Sequence, residues 1–83
     1  MSDKTNIVIT SAFRTAIGSF GGSLASQTAP QLGAEVIKRC MNHSHLKADD
    51  VDMVYMGQVL TTGAGQNPAR QAAINAGIPI NTP

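Results

Sequence analysis

The chain has no tryptophan, one tyrosine and two phenylalanines among its 83 residues. Large aromatic side chains supply much of the burial in a small domain, so their scarcity leaves little from which to build an independent core. The single cysteine, Cys40, excludes an internal disulfide. Charge is scarce as well: Lys+Arg 6 against Asp+Glu 5 leave a net +1, and charged residues make up 13%. That balance gives no electrostatic footprint for nucleic acid and no polybasic patch for a membrane surface. The composition fits neither a disordered tail nor a coiled coil. No apolar run approaches the ~18 residues needed to span a bilayer. Lys4 is followed by no apolar stretch of the signal-peptide kind, so a soluble, cytoplasmic protein is expected. Internal repeats and low-complexity tracts are missing too.

What is present alternates between extended and helical patterns. Ile7-Val8-Ile9 sits between polar residues and reads as a short strand buried on both faces, the pattern of a parallel sheet covered by helices. Residues 12–27 carry Gly18, Gly21, Gly22 and four hydroxyl side chains, a long loop of the kind that is often functional or interfacial. Thr28-Ala29-Pro30-Gln31 fits a capping box with proline in the first turn. Ala29, Leu32/Gly33, Val36/Ile37 and Cys40/Met41 then recur at helical spacing, which predicts an amphipathic helix over 29–42. Residues 43–52 form a polar connection with room for a short turn at 48–51. Met53-Val54-Tyr55-Met56, extended by Gln58-Val59-Leu60, predicts a second buried strand, with Gly57 marking a close approach or a bulge. A glycine loop over 61–66 leads to Asn67-Pro68, an N-cap followed by proline at N1. The second helix is expected to run to about Ala76, with Gly77 at C′ and Pro79 blocking continuation. Strand, helix, strand, helix is an α/β layered order with a mainly parallel sheet. Two strands do not complete such a sheet, which usually has about four to six, so the expectation is the front part of a larger domain.

Few side chains offer chemistry. Cys40 is the only thiol. An activated thiolate favours a helix N-terminus or a cationic neighbour, whereas Cys40 falls late in a helix, in line with its apolar positions. A buried structural cysteine is the expected reading. His43 and His45, with Asp49 and Asp50 nearby, could chelate a metal, but no second His/Cys cluster completes a set of ligands, and a solvated loop is expected instead. The glycine loop follows a strand and opens a helix, as a dinucleotide loop does, yet proline stands where the third glycine would be. Two readings remain: glycines that merely permit a tight turn, or a loop whose Gln66, Asn67 and Arg70 support a nearby site. Ala69, Ala72, Ala73 and Ala76 would let this helix approach its neighbours closely. Arg14 could bind an anion; pinning its own loop through carbonyls is favoured.

The run from Ile7 through Arg14-Thr15-Ala16-Ile17-Gly18-Ser19-Phe20 resembles the opening strand and Arg-Thr-x-x-Gly loop of the thiolase family. Gly57-Gln58-Val59-Leu60, then Gly63, Gly65 and the block Gly65-Gln66-Asn67-Pro68-Ala69-Arg70-Gln71, resembles the block that follows in the same enzymes. Leu32-Gly33-Ala34 and the exit Ala76-Gly77-Ile78-Pro79 also match in order and spacing. The similarity covers residues 6–83. The Gly-Gln-Asn-Pro-Ala-Arg-Gln block separates the CoA-dependent thiolases from the ketoacyl synthases that share their fold. Phe13 stands where a small residue is usual, and residues 41–50 are idiosyncratic.

The resemblance implies that residues 1–83 are the front part of a thiolase N-terminal domain. The family fold is a five-layered arrangement of two similar α/β halves, assembled as homodimers or homotetramers. The implied activity is acetyl transfer between two acetyl-CoA molecules to give acetoacetyl-CoA and CoA, reversibly, through a cysteine acyl-enzyme. A histidine and a second cysteine handle protons, and two oxyanion holes stabilise developing charge. The implied partner is an acyl-CoA substrate, and no metal or bound cofactor is expected. In the family, an Asn-x-x-Cys-x-Ser-Gly segment carries the nucleophile shortly after the stretch matched by Ile80-Asn81-Thr82-Pro83. Neither that segment nor the later catalytic groups occur in these 83 residues. Cys40 matches no catalytic position, so no catalytic residue is assigned and the 83-residue chain alone is expected to be inactive. The one role implied for this stretch is a supporting scaffold of Gln66, Asn67 and Arg70 near the active site or dimer interface. The alternative is a stand-alone, non-catalytic interaction module derived from a thiolase front end.

Overall fold

Thr28 decides where the first helix begins. In the computed structural model, which describes residues 6–83, Thr28 is extended and its hydroxyl accepts from the Gln31 amide at 3.3 Å. Gln31 returns the bond, its side-chain oxygen accepting from the Thr28 amide at 2.8 Å. Two of the otherwise unpaired N–H groups are thereby satisfied, as the capping box requires. Helix α1 runs from there over Ala29–His43, one residue beyond the expected end. It closes in a Schellman motif: the Leu46 amide donates to the Met41 carbonyl at 2.9 Å and the His45 amide to Asn42 at 3.2 Å. His45 occupies the left-handed position at φ 57°, where glycine is usual. A 3₁₀ turn over Ala48–Asp50 fills the expected short turn.

Helix α2 covers Pro68–Asn75 and is capped by Asn67, whose side-chain oxygen accepts from the Arg70 amide at 3.1 Å. Its exit is a second Schellman motif, with Ile78 N–H donating to Ala73 and Gly77 N–H to Ile74, both at 3.0 Å. Gly77 takes φ 94° there, a conformation that glycine adopts at no steric cost. α1 and α2 pack on each other, and Gly33 is the reason they come so close. A Cβ on Gly33 would lie 3.1 Å from the Ala72 Cβ. The buried core is Pro30, Ala34, Ala72, Ala73, Ala76 and Ile78. The alanine face expected of the second helix is therefore the packed face.

The strands are not there. Among the described residues no β-strand forms: two α-helices and a 3₁₀ turn stand where the strand-helix-strand-helix order of a layered α/β fold is expected, and its two strands are not confirmed. A parallel strand needs a neighbour for its N–H and C=O groups and burial to offset the entropy of ordering it. Residues 7–9 have neither: Ile7 and Ile9 are 96% and 89% exposed. The segment instead lies along α1 through polar contacts. Ser11 Oγ donates to the Cys40 carbonyl at 3.2 Å, and Ser44 Oγ donates to Thr10 Oγ1 at 3.0 Å. Phe13 meets His43 edge-on, with ring centroids 5.3 Å apart, and the Arg39 guanidinium lies 5.6 Å from the Phe13 centroid. The second expected strand, residues 53–60, makes a single backbone bond outside its own surroundings, Val54 N–H to the Pro83 carbonyl at 2.9 Å. Gly57 marks neither a bulge nor a close approach, because a Cβ there would meet nothing within 4 Å.

The result is an extended body of 56 × 25 × 21 Å with a radius of gyration of 14.9 Å, against about 12 Å for a compact domain of this length. It exposes 6801 Å², whereas a folded monomer of this mass would expose about 4,700 Å². Ile7, Ile9, Ile17, Phe20, Val59 and Leu60 all face outward. Lys4, which bears on the signal-peptide reading, lies outside the described residues. No helix among the described residues is long and apolar enough to cross a membrane.

Candidate functional site

The glycine loop, the N-terminal turn of α2 and residues 80–83 form one hydrogen-bonded unit. Asn67 starts it. Its backbone is left-handed, φ 44° and ψ 75°, a conformation that asparagine tolerates better than most residues. The side chain caps the first turn, which fixes the direction in which Arg70 leaves the helix. Arg70 Nη1 donates to the Thr82 carbonyl at 2.9 Å, and Nη2 donates to the Ile80 carbonyl. One guanidinium thus grips two alternate carbonyls of a segment without regular structure, a use of its fixed donor geometry. The same segment is held from its other side. Thr82 Oγ1 donates to the Val51 carbonyl at 3.4 Å, and the Pro83 carbonyl accepts from Val54.

Gln71 holds the loop on the opposite flank. Its side-chain nitrogen donates to the Ala64 and Gln66 carbonyls, both at 2.8 Å. Gly65 makes room for it: at φ 80° it is in the glycine region, and a Cβ there would sit 2.9 Å from the Gln71 nitrogen. The glycines therefore serve a latched turn, as the tight-turn reading expects. Between loop and helix start lies an open cleft of about 210 Å³, lined by Gln58, Thr61, Asn67, Pro68, Ala69 and Ala72 among others. Of the three residues expected to form a supporting scaffold, Asn67 and Arg70 are brought together directly. Gln66 takes part through its carbonyl. Gln71 is the member that sequence reasoning misses, although its place one turn after Asn67 on the same short helix is an available signal.

The other candidates separate from this unit. Cys40 is half-buried, not fully buried as expected, and sits late in α1 beside residues 10–11. His43 packs against Phe13 and His45 closes a helix. Among the described residues no three His, Cys, Asp or Glu side chains converge as metal ligands would. Arg14 donates to the neighbouring Thr15 carbonyl at 3.1 Å, in line with the loop-pinning reading. No nucleophile–base pair is assembled from these elements.

Residues 7–83 match the family model described as thiolase, N-terminal domain. The chain belongs to the thiolase family. Among curated relatives, the acetyl-CoA acetyltransferase of Cupriavidus necator is 60% identical over 79 residues, covering 95% of this chain and 20% of that protein. The enzyme of the same name from Pseudomonas aeruginosa is 59% identical over 78 residues, covering 94% and 20%. That of Escherichia coli is 56% identical over 73 residues, covering 88% and 18%. This thiolase segment spans about a fifth of the length of the curated relatives it matches. Its latched loop, capped helix and clamped exit are all within the matched stretch.

Proposed function

We propose that this chain is the leading part of the N-terminal domain of an acetyl-transferring thiolase. The parent enzyme joins two acetyl-CoA molecules into acetoacetyl-CoA and CoA, and runs the reverse cleavage. It does so through an acyl-cysteine intermediate, with no metal or bound cofactor beyond the CoA of its substrates. Its location is cytoplasmic and its assembly a homodimer or homotetramer. Within it the present residues carry no nucleophile or base; Gln66, Asn67 and Arg70 brace the neighbourhood of the active site or dimer interface.

The observation that carries this reading is the identity near 60% to named acetyl-CoA acetyltransferases along almost the whole chain. The exposed surface of 6801 Å² supports it over a stand-alone interaction module, because outward-facing Ile7, Ile9, Val59 and Leu60 require cover that these residues do not supply. A chimera tests it: residues 7–83 replace the matching stretch of the Cupriavidus necator enzyme, and acetoacetyl-CoA thiolysis is monitored by loss of enolate absorbance. Turnover within about tenfold of the unaltered enzyme is expected, since most substitutions would fall outside the reacting groups. A folded chimera without turnover would overturn the proposal.

A further inference from the structure

We draw no further inference here: the strongest candidate, the open groove of about 420 Å³ that Phe13, Arg14, Leu32, Val36, Met56 and Gln58 line along α1, is an unpartnered apolar face, and nothing in the structure shows what covers it.

Discussion

Replacing Gly33 by alanine sets two effects of similar size against each other. Gly33 lies in the interior of α1, where alanine is favoured over glycine by about 1 kcal/mol. An exposed helical glycine would therefore be improved by the change. Here the new Cβ would stand 2.8 Å from Met56 Cε and 3.1 Å from Ala72 Cβ. The first contact is cheap to relieve, because Met56 is half-exposed and its methyl can swing aside. The second is not. Ala72 is 0% exposed and carried on a helix, so relief means moving α2 by a few tenths of an ångström. Overpacking of this kind typically costs about 1–3 kcal/mol. The clash outweighs the propensity gain, and the expected net loss is about 1 kcal/mol. Urea unfolding of the full-length chimera, with and without Gly33→Ala, reads this as a lowered midpoint at constant slope. Adding Ala72→Gly restores the space, so the pair should show a favourable coupling of about 1 kcal/mol in a double-mutant cycle. A raised midpoint for Gly33→Ala alone would mean that the helices do not approach as described.

The remaining predictions use the same unfolding assay or the isolated chain. Asn67→Ala removes the cap and places alanine in left-handed backbone, for a loss of about 2 kcal/mol, whereas Asn67→Gly loses the cap without the strain and should be the more stable variant. The reverse order of midpoints would reject the left-handed cap. His45→Gly should raise stability by about 1 kcal/mol, because it relieves a left-handed residue that is exposed and loses little packing; a lowered midpoint would count against the Schellman exit of α1. The purified 83-residue chain should show no thiolysis and no cooperative thermal transition as a clean monomer by circular dichroism and size exclusion. Such a transition would revive the stand-alone module.

Both helices are legible in the sequence because each carries its own boundary signals. Thr28 and Gln31 mark the start of α1 and Asn67-Pro68 that of α2, while Gly77 closes α2 within a few residues. These are local interactions, so a local pattern finds them. The end of α1 lies one residue past its expected place because its C′ residue is histidine, and no glycine announces the turn. The strands fail for the opposite reason. Ile7-Val8-Ile9 and Met53-Val54-Tyr55-Met56 have strand composition, but a strand is defined by a partner that periodicity does not supply. The expectation of a bulge at Gly57 presupposes a sheet that the described residues do not form.

The candidate site obeys the same division. Asn67 reaches Arg70 three residues on, Gln71 reaches back seven to Ala64, and Arg70 reaches forward ten and twelve to Ile80 and Thr82. Every one of these contacts has both partners within residues 61–83, and so they persist while the apolar segments elsewhere stay uncovered. Polar bonds to carbonyls tolerate exposure in a way that an unfinished sheet does not: each removes an unpaired group in its own right, whereas burial accrues only when a whole face is covered. The bracing unit can therefore take its shape before its surroundings are complete. Arg70 makes this concrete. Its grip on residues 80–83 needs α2 and its cap, but neither of the apolar runs, Ile7-Val8-Ile9 or Met53-Val54-Tyr55-Met56, in a finished sheet.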